Sequence, residues 1–199
     1  MIVAFDIETV PLREYWDADE ATIEALTASH GAPPGLHPLT SHVVSFACAI
    51  KENRNVACWP EAVAAHEVTV LDEAFRILAW AKAKDARLVT FNGKGFDLPM
   101  LRLRAALLER PVPALPWRNW LYPFDDRQHC DLRLVCGNGD RRAKGSQELW
   151  ALGFGVPAIS RGHEVLDMVR RGAFYEVAAY NQDDVETLVG LYGKLERVL

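Results

Sequence analysis

The sequence predicts an α/β fold in a single domain, on three observations. Residues 1–7 (MIVAFDI) form an apolar run rich in β-formers that ends abruptly in acids, the pattern of a central strand buried on both faces. Residues 42–51 (HVVSFACAIK) and 55–59 (NVACW) read as two further strands joined by the turn-formers Glu52, Asn53 and Arg54, which makes part of the sheet an antiparallel hairpin. Residues 71–84 place Leu71, Ala74, Phe75, Leu78 and Ala81 at helical spacing before RLVTF (87–91) returns to strand, giving a strand, helix, strand order. A chain of 199 residues, half of them apolar, is a size that one core serves.

The other elements follow in order. Residues 11–40 hold Gly31, Pro33, Pro34, Gly35 and Pro38, and predict a mobile flap with one short helix over 21–28. Asn92, Gly93, Lys94 and Gly95 make a tight turn, after which residues 98–108 carry an apolar helical face with Asp97 in the first turn. Residues 110–127 contain four prolines together with Trp117, Trp120, Tyr122 and Phe124, and predict a long ordered loop without a regular element. A short strand is expected over 129–134. Short helices are expected over 148–152, after Ser146 and ended by Gly153, and over 164–171, with a final long helix over 174–197.

Charge is unevenly placed. The chain carries 22 Lys and Arg against 27 Asp and Glu, a net −5, yet residues 1–30 hold seven acids and one base. Residues 82–110 reverse this, with Lys82, Lys84, Arg87, Lys94, Arg102, Arg104 and Arg110 against three acids. Arg133, Arg141, Arg142 and Lys144 make a second basic patch. No apolar run approaches the roughly 18 residues of a membrane helix, and no basic leader opens the chain, so a cytoplasmic protein is expected. Cys48, Cys58, Cys130 and Cys136 lack the close pairing of a zinc site and read as reduced thiols.

Four acids carry the chemistry. Side chains alternate along a strand, so Asp6 and Glu8 aim at one spot while Ile7 points to the core. Tyr180 and Asp184 are four apart in YNQDDVETL and stack on one helical face, which Leu188 and Leu191 turn toward the interior. Asp97 sits at a strand, turn and helix junction. Converging, Asp6, Glu8, Asp97 and Asp184 would offer hard oxygen donors suited to magnesium or manganese rather than zinc.

FDIET (5–9), NGKGFDLPML (92–101) and YNQDDVETL (180–188) resemble, in this order, the three motifs of the DnaQ-like 3′–5′ exonucleases of the ribonuclease H-like fold, in the branch with a tyrosine in its third motif. HCDL (129–132) also resembles the stand-alone predicted exonucleases related to polymerase B proofreading domains. The resemblance implies a central mixed five-stranded sheet flanked by helices, with residues 1–199 forming one exonuclease domain. It also implies two divalent cations, Mg²⁺ or Mn²⁺. Asp6 would bridge both, Glu8 and Asp184 would complete the site of the attacking water, and Asp97 would support the second cation. Tyr180 would orient the water, its phenol being too weak a base at neutral pH. The four-residue spacing from Tyr180 selects Asp184 over its neighbour Asp183. Asp131 is read as a structural or supporting acid.

Thr9, Asn92 and Phe96 resemble positions that contact the substrate's terminal nucleotide, and the aromatic loop would stack unpaired bases, cover the core as a lid or form a subunit interface. The implied activity is removal of nucleoside 5′-monophosphates from the 3′ end of single-stranded nucleic acid, DNA being favoured over RNA, with the basic stretches on the backbone. A separate polymerase or repair protein would be its partner. An exoribonuclease of the same mechanism, a non-catalytic nucleic-acid binder and a small-molecule phosphohydrolase are the rival readings.

Overall fold

The computed structural model describes residues 1–52, 55–58, 66–140, 144–197 and 199, with the backbone alone for 52 and 55–58. Its centre is a mixed sheet in the order β3-β2-β1-β4-β5, comprising β1 (Ile2–Pro11), β2 (Ser41–Glu52), β3 (Asn55–Cys58), β4 (Arg87–Thr90) and β5 (His129–Asp131). β1 pairs antiparallel with β2 and parallel with β4, and β4 pairs parallel with β5. β3 adds a short edge to β2 in the expected hairpin, while its predicted turn (53–54) and Trp59 lie outside the described residues. The described packing is therefore that of the other four strands.

Strand alternation divides the core into two layers. Val3, Phe5 and Ile7 face α2 (Glu67–Ala83) and α3 (Asp97–Leu107), whereas Ile2 and Ala4 face α8 (Phe174–Leu195). Val70, Leu71, Ala74, Phe75, Ile77, Leu78 and Ala81 form the buried stripe of α2, so the helix follows the expected period but starts four residues earlier than 71. Asp6 and Glu8 share the parity of Ile2 and Ala4, and so face α8.

β1 does not stop at its acids. It runs on to Pro11 with a bulge against β2 at Glu8/Thr9, because Val10 still has an apolar layer to enter, formed with Val165, Met168 and Val177. On its other side the pairing with β4 ends at Ala4, opening a crevice between the two strands beyond that point.

Two loops fold further than composition suggests. Residues 117–121 make one helical turn, α4 (Trp117–Leu121), between Pro116 and the extended Tyr122 that precedes Pro123. The turn sinks Trp120 into the core and packs Trp117 against it. β5 ends at Asp131 rather than at 134, because the Asp131 carboxylate accepts from Arg133 N–H and starts α5 (Leu132–Cys136). α1 (Glu20–His30) extends the helix expected over 21–28, capped by Asp19 and by the left-handed Gly31, and buries no residue. α6 (Gln147–Gly153) starts at the Ser146 cap, and α7 (Val165–Arg170) leads into α8. No described helix is long and apolar enough to cross a membrane.

Candidate active site

The acids meet. Carboxylate oxygens of Asp6, Glu8 and Asp184 lie within 4.8 Å of one another, the first two from adjacent same-face positions of β1 and the third from the face of α8 laid against them. Asp97 stands outside this trio but lines the same cavity, of about 350 Å³. It is held at the first turn of α3, where its carboxylate accepts from its own N–H and from the N–H of Ile7 on β1.

Burial without compensation sets the electrostatics. Asp6 and Glu8 are pushed well above the usual carboxylate range, first by loss of water and then by the charges of the neighbouring acids. Desolvation likewise raises Asp97 and Asp184 to about 7. Asn181 offsets part of this by donating to Asp6 Oδ2 at 2.7 Å, and Tyr180 offsets part by donating to Asp184. The phenol of Tyr180 is itself shifted upward by burial and by the charges of Asp184 and Glu8, so it stays protonated. Among the described residues lining the cavity, Arg133 is the one cation against five acids.

The substrate-side residues fall in different places. Asn92, with φ of 72°, and Phe96 line the acidic cavity, and Phe96 also packs against the core. Thr9 turns its hydroxyl to the carbonyl of Gly35, 2.6 Å away, and does not line the cavity. Asp131 assembles the turn of the second motif: its Oδ1 accepts from Asn92 and Arg133 N–H, and its Oδ2 from Lys94 N–H. Asp183 is exposed on the far side of α8.

The first basic stretch is largely internal wiring. Lys94 is buried with Nζ on the carbonyls of Tyr122 and Asp125, and Arg104 is buried in a two-pronged pair with Glu67. Arg87 and Arg110 pair with Asp126 and Asp72. A cation's type is visible in a sequence, but not the carbonyl or carboxylate waiting inside the fold. Of the aromatic loop, Trp120 serves the core while Tyr122 and Phe124 are exposed, and of the second patch Arg141 and Arg142 lie outside the described residues.

Sequence reading missed Glu148 and Asn181. Glu148, on α6, lines the cavity and its charge is felt by Glu8, Asp184 and Tyr180; Gln147 beside it donates to the carbonyl of Asp184 at 2.8 Å, tying α6 to α8. Asn181 is fully buried between Ser45, whose hydroxyl donates to its Oδ1 at 3.1 Å, and Asp6. Its spacing of three from Asp184 was a readable signal, since i and i+3 share a helical face.

The whole arrangement can be set beside known proteins. The chain superimposes on a structure of the family B DNA polymerase from the hyperthermophilic archaeon Pyrobaculum calidifontis with a TM-score of 0.63 and 22% sequence identity, over 98% of this chain and 24% of that one. The likeness is one of fold, and confirms an α/β, ribonuclease H-like sheet flanked by helices. The chain spans about a quarter of that polymerase's length. No curated protein matches. A family described as a predicted 3′–5′ exonuclease related to the exonuclease domain of PolB matches residues 36–198, which takes in Asn92, Asp97, Tyr180 and Asp184 and leaves Asp6 and Glu8 to the fold comparison. With that share of its length matched, the chain belongs to the family of predicted 3′–5′ exonucleases related to the PolB exonuclease domain.

Proposed function

We propose that this protein is a metal-dependent 3′–5′ exonuclease that hydrolyses the terminal phosphodiester of single-stranded nucleic acid, DNA in preference to RNA, and releases nucleoside 5′-monophosphates. The observation that carries the reading is the convergence of Asp6, Glu8 and Asp184 to within 4.8 Å, with Asp97 in the same cavity. The donor set fits divalent cations. All four are oxygen ligands, all are desolvated, and a cluster of this kind is stable in ionised form only with positive charge supplied from outside the chain. Asp6, Glu8, Asp97 and Asp184 would hold two Mg²⁺ or Mn²⁺ ions, whose chemistry when bound is to acidify water and to neutralise charge on the phosphate.

The chain's own groups do the positioning. Asn181 fixes the orientation of Asp6, and Ser45 fixes that of Asn181, so the carboxylate at the centre of the cluster is aimed before any ligand arrives. Tyr180, kept protonated by its surroundings, cannot serve as a base; with its O–H on Asp184, its oxygen is an acceptor that orients an attacking water. Asn92 and Phe96 form the wall on which the terminal nucleotide would lie.

The test is digestion of 5′-labelled DNA and RNA oligonucleotides with manganese. A ladder shortening one nucleotide at a time from the 3′ end is expected, faster on DNA, and lost in Asp6→Ala. Cleavage that persists undiminished in purified Asp6→Ala would overturn the assignment, and a faster RNA ladder would make the protein an exoribonuclease of the same mechanism.

A further inference from the structure

The acidic cavity poses a problem for its own substrate: a nucleic-acid strand is a polyanion, and five carboxylates line the place its end must enter. Local attraction has to come from a cation at the wall. The basic residues of the second motif do not supply it, because Lys94 spends its ammonium on the carbonyls of Tyr122 and Asp125 and Arg104 spends its guanidinium on Glu67.

Arg133 is differently placed. It is half-buried, lines the acidic cavity, and also lines an adjoining cavity together with Asn92, Lys94 and Asp131. The two hollows thus share the pair Asn92 and Arg133 as their divide. The pair is built rather than accidental. Arg133 Nη1 donates to Asn92 Oδ1 at 2.8 Å, and the main-chain N–H groups of both residues end on the same oxygen of Asp131. Asn92 keeps a left-handed backbone, φ 72°, which turns its amide toward Arg133. The guanidinium is therefore held in position at the rim, and its planar fork matches a phosphate better than an ammonium would.

We infer that Arg133 holds a backbone phosphate of the strand whose 3′ end occupies the acidic cavity, so that the polynucleotide leaves that cavity across the Asn92–Arg133 divide. The inference rests on the exonuclease reading for the identity of the ligand, and makes Arg133 a substrate-positioning residue with no part in the chemical step. It also explains why a chain of net negative charge needs no broad basic face: one fixed cation at the exit acts where the acids repel most.

The experiment measures binding of a 5′-fluorescein-labelled single-stranded oligothymidylate by anisotropy across a salt series, with calcium in place of manganese. Wild type is compared with Arg133→Ala, Arg133→Lys and Asn92→Gly. Loss of a charged hydrogen-bonding contact predicts roughly a 10- to 100-fold weaker affinity for Arg133→Ala. Loss of one phosphate contact predicts a salt slope shallower by about 0.7. Arg133→Lys restores the slope and only part of the affinity. Asn92→Gly keeps the slope while losing affinity, since the charge remains and its anchor is gone. Under manganese, Arg133→Ala raises KM more than it lowers kcat.

An unchanged slope and affinity in Arg133→Ala would overturn the inference, as would a full rescue of affinity by lysine, which would mean that the fork geometry is irrelevant. The two readings separate cleanly. Wild type that binds with the expected slope change yet cleaves nothing defeats the proposed activity alone. Wild type that cleaves while Arg133→Ala binds normally defeats this inference alone.

Discussion

Replacing Asp184 by Asn should stabilise the metal-free protein while ending its activity. The carboxyl group of Asp184 is raised from an ordinary 3.8 to about 7, chiefly by burial. At about 1.4 kcal/mol per tenfold change in proton affinity, keeping it ionised above pH 7 costs the fold up to about 4 kcal/mol. The amide removes the charge yet can still accept from Tyr180, so a gain of about 2 to 4 kcal/mol is expected, or roughly 5 to 15 °C in Tm for a chain of this size. The direction with pH is fixed by the same shift. A group whose folded-state pKa is raised imposes no penalty below its unfolded value near 4, and an increasing one as pH climbs to about 7. The gap between variant and wild type should therefore be widest at pH 8 and close toward pH 4. The assay is calorimetric melting with EDTA at several pH values, repeated with manganese, which should lift wild type more than the variant because ligand binding to the folded state adds stability by mass action. A variant that melts at or below wild type at pH 8 in EDTA, or a gap indifferent to pH, would refute the view of the site as a store of uncompensated charge.

Tyr180→Phe should slow oligonucleotide hydrolysis on the order of 100-fold, as loss of one positioned hydrogen bond does elsewhere, and leave the manganese-induced rise in Tm intact; a matching loss of metal response would show that the phenol supports the cluster rather than the water. His129, buried between Thr90 Oγ1 and the carbonyl of Trp120, is held neutral with its pKa lowered to about 3. A depressed histidine contributes stability above pH 6.5 that is lost as pH falls, so between pH 6.5 and 4.5 wild type should lose about 3 kcal/mol relative to His129→Gln in urea titrations, and parallel profiles would contradict this. Arg104→Met strands the half-buried Glu67 carboxylate, whose two oxygens now accept from Arg104 at 2.8 and 2.7 Å, and should cost about 3 to 5 kcal/mol in the same titration with cleavage chemistry unaltered.

What the sequence disclosed was governed by periodicity. β1, β2, β4 and the stripe of α2 are buried on one or two faces, so their apolar residues recur at 2.0 or 3.6 and can be read without a fold. Asp6 and Glu8 were legible for the same reason, since alternation alone puts them on one side, and Tyr180 with Asp184 through the helical repeat. Where a local rule competed with a tertiary one, the reading failed. Prolines hid α4, whose formation answers to the pocket waiting for Trp120, and the capping carboxylate of Asp131 turned an expected strand into α5. Glu148 carries no signal of its own: an acid in the first turn of a short helix looks like a dipole partner until α6 is seen tied to α8 through Gln147. Lys94 and Arg104 misled in the opposite sense, their charge suggesting a surface that the fold had already consumed.

Beyond Ala4, β1 has no strand beside it on the β4 side, and the N–H of Ile7 finds its acceptor in the carboxylate of Asp97. That oxygen stands in for a missing backbone, so the acid of the second motif belongs to the sheet as much as to the cavity. Substituting alanine at position 97 would leave an orphaned amide at the seam of the fold, and the resulting defect would mix lost architecture with lost chemistry. Residues 6 and 97 are thus unequal probes: a knockout at the former interrogates the reaction, whereas one at the latter also loosens the hinge line along which β1 and α3 are joined.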